Sequence, residues 1–352
     1  MQTEIQLPSF HAEDVLKTLA HAFKTHIDND HAEHRIEIPS SLGEGYIAGI
    51  DFKDGLEMLI FNCSFKKDII LKHASEEFQP LRLIFCMEND FTHIIKGDRL
   101  QYQLNHLLGS MVSGTCNNEQ MFLLPAERKI YFYSIEIDRK KYHPKIEMSI
   151  HSLPDELKEI LADQNCTRSF LYQGHYSLTI AECIQKINAS EHKGLVRRVF
   201  LESKTLEILA MQIKQYLDDL TPSRRQSILR KKDIEQIIHA KNLLLENLQG
   251  HLTIKELARL TGTNENKLKM GFKQVYNTSI YKILQNEKLE AAKLLLAEEK
   301  YSIKDIATKV GYKHVGHFSA KFKQKYGVLP KDYLKSLEQS KEGFVIEEMG
   351  HE

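Results

Sequence analysis

The spacing of apolar residues changes twice along the first two-thirds of the chain. Up to about Asp30 it is helical, with Val15, Leu16, Leu19, Ala20 and Phe23 recurring at three- and four-residue intervals. From Ile36 to about Ile150 it becomes a series of short β-type runs: Tyr46–Ile50, Met58–Phe65, Leu81–Met87, Leu100–Leu108 and Ile130–Ile137. Gly43, Gly55, Gly97-Asp98 and Asn117-Asn118 punctuate them, and Tyr131, Tyr133, Ile135 and Ile137 alternate with Phe132, Ser134 and Glu136 as on a strand with unequal faces. Many short strands with such turns predict an antiparallel sandwich or small barrel. After Pro154 the pattern is helical again. Arg197 to Leu220 carries Leu206, Leu209, Ala210, Ile213 and Leu217 on one stripe, which suits packing within its own domain as well as a dimer seam. Thr221-Pro222-Ser223-Arg224-Arg225 reads as a linker, and the polar tail from Glu338 is expected to fray.

The last third repeats itself. Ile254, Ala258 and Gly262 recur as Ile303, Ala307 and Gly311. After a one-residue shift, Leu268, Phe272, Gln274, Tyr276 and Leu284 recur as Phe318, Phe322, Gln324, Tyr326 and Leu334. Each copy reads as a short helix, a turn with an αL glycine and a second helix, the form of a helix-turn-helix. Thr253 to Glu256 has the form of a capping box, and Ser302 to Asp305 opens the second copy in a similar way. A leading helix is expected over Lys232–Leu248 and a connecting helix over Ser279–Glu298, whose twenty residues would span about 30 Å. That length is close to the ~34 Å between successive major-groove faces of duplex DNA.

The second helices are the candidate reading elements. In the first, from about Asn264 to Tyr276, Leu268, Phe272 and Val275 form the inward stripe. Asn264, Asn266, Lys267, Lys269, Met270 and Lys273 are the candidate contacts. In the second, from about Val315 to Tyr326, Phe318 and Phe322 point inward. Lys313, His314, Val315, Gly316, His317, Ser319, Ala320 and Lys323 are the candidates there. Residues early in such a helix reach base edges, and later lysines meet phosphates or remain solvated.

Charge supports this division. The 352 residues carry 48 Lys and Arg and 48 Asp and Glu, yet Arg224 to Lys335 holds 23 basic and 11 acidic residues, a surplus of 12. The remainder holds 25 basic and 37 acidic residues. A basic segment joined to an acidic one suits a phosphate-binding domain beside a domain with another task. The five cysteines (Cys63, Cys86, Cys116, Cys166, Cys183) are odd in number and dispersed, as free thiols in a reducing cytoplasm would be. No apolar run suits a membrane span, and the polar start has no signal-peptide form.

The second copy closely resembles the AraC-type (AraC/XylS) transcriptional regulators. Ile306-Ala307, Val310-Gly311-Tyr312, His317-Phe318, Phe322-Lys323, Tyr326-Gly327-Val328, Pro330 and Tyr333 carry the likeness. The first copy matches through Leu257-Ala258, Leu268, Phe272-Lys273 and Tyr281, and the connecting helix through Ala291-Ala292 and Leu294-Leu295-Leu296. Met270 and Ala320 stand where that family often has Arg, Asn277 where Gly is usual and Gly316 where Ser is common. Bidentate Arg–guanine readout is therefore not expected at those two positions; Asn266 is the candidate adenine reader, and Met270 and Ala320 are candidates for apolar contacts to thymine methyls. Residues 266–272 and 200–210 further resemble the pyochelin-regulator subgroup.

The resemblance implies an α+β protein: a β-rich, cupin-like effector domain (1–155), a helical dimerisation segment (156–220), a linker (221–229), an all-α double helix-turn-helix domain (230–337) and a tail (338–352). It implies double-stranded DNA and RNA polymerase as partners, no membrane partner, a homodimer, and a small-molecule effector that in the subgroup is an iron–siderophore, with no other cofactor. An effector-independent regulator, with the N-terminal domain used for protein contacts, is the alternative within this class. A cupin-like enzyme fused to the DNA-binding module, or a phosphorylation-driven regulator, lies outside it. Neither a reactive-cysteine motif, a His/Glu metal set on adjacent strands nor an α/β receiver pattern is present in the sequence, so no catalytic residue is expected. His31-x-x-His34 beside His26 is the tightest histidine cluster, but Asp28-Asn29-Asp30 reads as a turn and no third and fourth ligands follow, so no metal site is expected.

Overall fold

The computed structural model describes residues 3–31, 33–73, 79–98, 100–116, 118–220, 231–250, 252–276, 278–298 and 300–342. The expected linker 221–229, Asn117, Asn277 and the tail beyond 342 lie outside these residues. The chain divides into two compact units, Met1–Ile228 and Leu229–Glu352, which are taken separately.

The N-terminal unit begins with β1 (Thr3–Leu7), α1 (Ala12–Phe23), β2 (Asp28–Asp30), β3 (Glu33–Glu37), β4 (Gly43–Asp51), β5 (Leu56–Phe65), β6 (Ile69–His73) and β7 (Leu81–Glu88). It continues with β8 (Phe91–Ile95), β9 (Leu100–Leu104), β10 (Leu108–Ser113), β11 (Gln120–Leu124) and β12 (Lys129–Ile137). Then come α2 (Arg139–Ile150), α3 (Asp155–Ala162), β13 (Phe170–Tyr176), α4 (Leu178–Asn188) and α5 (Gly194–Asp219). The strands form a five-stranded sheet, β1-β6-β11-β8-β9, and an eight-stranded sheet, β13-β10-β7-β12-β5-β4-β3-β2. Every pairing is antiparallel except β1 with β6.

Aromatic side chains join the two sheets. Phe132 on β12 lies 4.5 Å from Phe61 on β5 and 4.6 Å from Phe91 on β8, ring centre to ring centre. Each such ring contributes roughly 1.5–3 kcal/mol by leaving water. The apolar face of α1 (Val15, Leu16, Leu19, Ala20, Phe23) seals the same core.

β12 departs from the expected unequal faces, because Ile130 to Ile137 are all buried. Phe132 and Ile130 face the second sheet, while the Tyr133 hydroxyl meets Thr205 Oγ1 on α5 at 2.9 Å. The buried face of α5 is Leu201, Thr205, Ile208, Leu209, Gln212, Gln215 and Tyr216. Of the expected stripe only Leu209 is fully buried. Leu206 and Ala210 are exposed, and Ile213 and Leu217 are half-buried. Arg197 fastens the start of α5 to β3 through two bonds to Glu33, Nε to Oε2 and Nη2 to Oε1, each 2.9 Å.

Five further readings change. Thr3–Leu7 is a strand, because five residues alternating toward the core read as nothing in a helical window. Asp28–Asp30 is an edge strand, held in a hairpin by β3 rather than by its own composition. Leu100–Leu108 is broken at 105–107, where Leu107 takes a φ of 59°. The β texture ends at Ile137, since the Asp138 side chain accepts from Lys140 N–H and Lys141 N–H and starts α2. β13 then returns to strand within the region read as helical, because β10 offers it a free edge.

The C-terminal unit is all helical: α6 (Lys231–Glu246), α7 (Ile254–Leu260), α8 (Glu265–Tyr276), α9 (Ile280–Ala297), α10 (Ile303–Lys309), α11 (Val315–Tyr326) and α12 (Pro330–Glu342). Thr253 Oγ1 accepts from Glu256 N–H at 3.2 Å, and the Glu256 carboxylate accepts from Thr253 N–H at 2.9 Å, completing a capping box. Ser302 Oγ accepts from Asp305 N–H at 3.1 Å but is answered only at its own hydroxyl.

The first helices of the two copies end alike. Thr263 N–H donates to Ala258 O at 2.9 Å and Tyr312 N–H to Ala307 O at 2.8 Å. Between each pair lies a glycine of positive φ, Gly262 at 68° and Gly311 at 77°. Leu268, Phe272 and Val275 of α8, and Phe318 and Phe322 of α11, are buried. The second copy closes over Leu289, Ala292 and Leu296 of α9 with Ile306, Ala307 and Val310 of α10.

The two turn glycines differ in surroundings. A Cβ on Gly262 would meet only Gln236 Nε2 at 3.6 Å, whereas one on Gly311 would lie 2.7 Å from Lys288 Nζ and 3.0 Å from Leu248 O. Gly262→Ala should therefore cost the αL penalty alone, about 1–2 kcal/mol, and Gly311→Ala should cost more. Denaturant titration of both variants checks this, and equal losses would show that the neighbours of Gly311 yield freely.

Candidate functional site

The outward faces of α8 and α11 place the sequence-expected residues in two groups. On α8, Asn266, Lys267, Lys269, Met270 and Lys273 are exposed. Two of the lysines already have acidic partners: Lys267 Nζ lies 2.6 Å from Asp233 on α6, and Lys269 Nζ lies 3.5 Å from Glu265. Asn264 spends its side-chain oxygen on the helix start, accepting from Lys267 N–H at 2.8 Å. Among the described residues Asn266 and Lys273 have no side-chain hydrogen bond or ion-pair partner.

On α11, Gly316, His317, Ala320 and Lys323 are exposed, and Val315 and Ser319 are half-buried. Lys313 and His314 are exposed just before the helix, and His314 occupies the N-cap without capping it. A Cβ on Gly316 would meet nothing within 4 Å, so this helix start is sterically open. The His317 ring packs edge-on against Tyr312 at 5.6 Å, which holds its position. Among the described residues Lys313 and Lys323 have no ion-pair partner, whereas Lys325 is tied to Glu290 at 2.8 Å.

Two contributors were not legible in the sequence. Asp233 lies 34 residues before Lys267 in the chain. Lys288 of the connecting helix is buried, and its ammonium donates to Gly311 O at 3.2 Å at the C-terminal end of α10. Burial lowers its pKa, while the negative end of the helix favours a cation there. A buried lysine on a helix reads as solvated until the partner carbonyl is known.

The N-terminal unit has a polar interior. Arg82 and Glu136 sit opposite one another on β7 and β12, 1% and 3% exposed, with Nε 2.8 Å from Oε2. The distance makes an ion pair, but neither atom forms an aligned hydrogen bond, and Arg82 Nη2 has no partner either. Burial pushes the Glu136 carboxyl up and the Arg82 guanidinium down, against their mutual attraction. Arg82 also lies 4.9 Å over Phe10 and 5.0 Å over Phe122. Nearby, His93 Nδ1 meets the Tyr102 hydroxyl at 2.6 Å and its Nε2 meets Gln120 Oε1 at 3.0 Å. Gln120 Nε2 donates to Gln79 Oε1 at 2.6 Å.

An open cleft of about 370 Å³ lies at one end of the five-stranded sheet, with Ile70, Phe91, Leu123, Asp68, Asp90 and Arg128 among its lining residues. Among the described residues no group of three or more His, Cys, Asp or Glu side chains is placed to hold a metal ion. His31 is instead bonded to Asp30 at 2.8 Å, and His26 lies 3.3 Å from Asp28. Among the described residues no helix is long and apolar enough to cross a membrane.

Two helix-turn-helix units in tandem on one connecting helix define the class. A helix-turn-helix domain family matches residues 257–336, and the family described as the regulatory protein PchR N-terminal domain matches residues 43–229, more than half of the chain. The chain belongs to the AraC-type regulators that carry the PchR N-terminal domain. It is 29% identical over 177 residues to the raffinose operon transcriptional regulatory protein RafR of Pediococcus pentosaceus, covering 50% of this chain and 61% of RafR. It is 31% identical over 110 residues to the regulatory protein PchR of Pseudomonas aeruginosa, covering 31% of this chain and 37% of PchR. The C-terminal domain of AraT, a response regulator from Geobacillus stearothermophilus, is 26% identical with a TM-score of 0.28, covering 29% of this chain and 84% of that domain. The chain thus spans less than two-thirds of the length of both regulators.

Burial first, and then the positive charge of Arg82, hold His73 and His93 well below the ordinary histidine value. The folded unit keeps both neutral, whereas the unfolded chain takes up protons as pH falls below about 6.5. Stability should therefore fall from that pH downward, by roughly 1 kcal/mol per histidine one pH unit lower. His11, raised by its bond to Glu57, works in the opposite direction, since its stabilisation is present in acid and fades as pH rises. Thermal unfolding of the N-terminal unit should shift down between pH 7.5 and 5.5, and His93→Gln should flatten the shift. An unchanged slope in that variant would remove His93 as a source.

Proposed function

We propose that this chain is a transcription regulator whose C-terminal unit reads duplex DNA and whose N-terminal unit, the cupin-like sensing module of its family, takes a small-molecule effector. The observation that carries the reading is the pair of helix-turn-helix units with matching turns and outward helix faces that bear unpaired cations. Asn266 offers an amide to a base edge, where it is the adenine reader of the first unit. Met270 and Ala320 present apolar surface for thymine methyls, and Lys273, Lys313 and Lys323 meet phosphates. Lys267 and Lys269, already paired with carboxylates, contribute less than their charges suggest. The 18 residues of α9 extend about 27 Å, a length compatible with two successive groove faces. The matched relatives RafR and PchR are regulatory proteins, which favours regulation over catalysis.

Selection of the full-length protein on a randomised duplex library should enrich two sequence blocks about one helical turn apart. On the enriched operator, about six phosphate contacts imply a slope of log K against log salt near −5. Asn266→Ala should relax preference at one base pair by roughly 1–3 kcal/mol. A slope near −1, or an equal loss on all sequences, would count against the surface and the residue respectively.

The effector class implied by the PchR-type domain is an iron–siderophore, and the cleft beside Ile70, Phe91 and Leu123 lies within the volume range of small-molecule sites. An iron-loaded siderophore that binds should raise the unfolding temperature of the full-length protein, and Leu123→Arg should abolish the rise. A rise retained by that variant would move the ligand elsewhere in the unit.

A further inference from the structure

Two of the five cysteines meet where no sequence pattern joins them. Cys116 follows β10, and Cys166 lies between α3 and β13, fifty residues later. Cys116 N–H donates to Cys166 O at 2.9 Å, and Cys116 Sγ donates to Asn165 O, on the residue next to Cys166, at 3.4 Å. A backbone bond of this kind sets two Cα atoms about 5–6 Å apart, inside the range a disulfide spans. The sites are unequal in a useful way. Cys116 is partly open to solvent, while Cys166 is 3% exposed and held in place. Its Sγ donates to Gln79 O at 3.2 Å and accepts from Gln79 N–H at 3.4 Å, and its own backbone sits at a φ of 52°. Cys63, Cys86 and Cys183 are all buried.

We propose that Cys116 and Cys166 form a reversible, peroxide-sensitive dithiol, with Cys116 the residue that is oxidised first and Cys166 the one that resolves it. The Cys116 thiolate attacks one oxygen of hydrogen peroxide, the O–O bond breaks, and hydroxide leaves, taking up the thiol proton to become water. The resulting sulfenic acid is attacked by the Cys166 sulfur. An S–S bond forms, the S–O bond breaks, and the departing hydroxide takes the Cys166 proton. Two thiols and one peroxide thus give one disulfide and two waters, and any dithiol reductant reverses the change.

Burial and the neighbouring Cys166 raise the Cys116 thiol to about 11, with Arg139 opposing and Asp163 adding to the rise. Thiolate is therefore scarce at neutral pH, so oxidation should be slow there and should quicken as pH rises toward that value. The pair is also wired inward. Gln79, which Cys166 contacts through both its N–H and its carbonyl, is bonded to Gln120, and Gln120 to His93. Disulfide formation withdraws the Cys166 S–H from Gln79 O and leaves Arg139 Nη2, at 2.9 Å, as its remaining side-chain donor. Oxidation thereby reaches the polar interior of the N-terminal unit.

The full-length protein is treated with hydrogen peroxide at pH 8.5, and thiols and peptides are mapped by mass spectrometry without reduction. The expected result is a loss of 2 Da, one cross-link between the peptides containing Cys116 and Cys166, and full recovery with dithiothreitol. Cys166→Ser should give no cross-link and a sulfenic acid at Cys116 that dimedone traps. Cys116→Ser should leave Cys166 a thiol, with circular dichroism confirming that both variants fold. Persistence of both thiols, a cross-link between other cysteines or between chains, or Cys116 passing directly to the sulfinic acid with Cys166 intact would each overturn the proposal.

Discussion

Strand β12 has no face left for water, and the N-terminal unit is organised around that constraint. On one side Phe132 is stacked on Phe61 and packed against Phe91, which requires the five-stranded sheet. On the other, Tyr133 reaches Thr205, which requires α5 to lie across the eight-stranded sheet. A strand buried on both faces in an antiparallel sheet needs two separate covers, and the chain supplies one before and one after the strand in sequence. The polar residues carried inside, Arg82 and Glu136, are tolerable only because the register sets them opposite each other.

In the C-terminal unit the corresponding constraint is the pair of left-handed turns. Each lets a short helix stop and a longer one start within a few residues, with its small alanine (Ala258 or Ala307) buried at the crossing. Because Ala307 O of α10 is met by Tyr312 N–H and Gly311 O of the turn by Lys288, α11 is held from α9 as well as from its own turn. The first is held differently, by α6 through Ile237 against Gly271 and Asp233 against Lys267. Two copies of one motif thus present similar faces from different supports.

These supports divide the exposed cations into two kinds. A lysine already paired with a carboxylate loses that partner to meet a phosphate, so it adds less to binding than a lysine meeting only water. Among the described residues Lys273, Lys313 and Lys323 have no carboxylate partner, whereas Lys267 and Lys269 do. Chemistry in the N-terminal unit follows proximity in the same way. Gln79 links the Cys116–Cys166 thiols to the His93 network only because α3, β10 and the segment before β7 converge.

Local periodicity was sufficient for much of this. The stripe of α1, the runs inside β4, β5, β7 and β12, the helices α8 and α11 and the glycines after α7 and α10 all follow from nearest-neighbour rules of helix, strand and turn. The motif residues around Val310-Gly311-Tyr312 identify the family because that turn permits few residue types. What periodicity could not convey was which surfaces meet. Thr3–Leu7, Asp28–Asp30 and Phe170–Tyr176 are strands only because a neighbour presents an open edge. The α5 stripe was misplaced because its buried face includes Thr205, Gln212 and Gln215, polar residues that become interior only by bonding to the sheet or its loops. Asp233 with Lys267, Lys288 with Gly311, and Cys116 with Cys166 are pairings across 23 to 50 residues of chain. The sequence by itself determined the local elements and the family, since these depend on residues a turn or two apart. Tertiary structure alone decided partnership, because a charge or thiol takes its character from groups that only folding brings within a few ångströms.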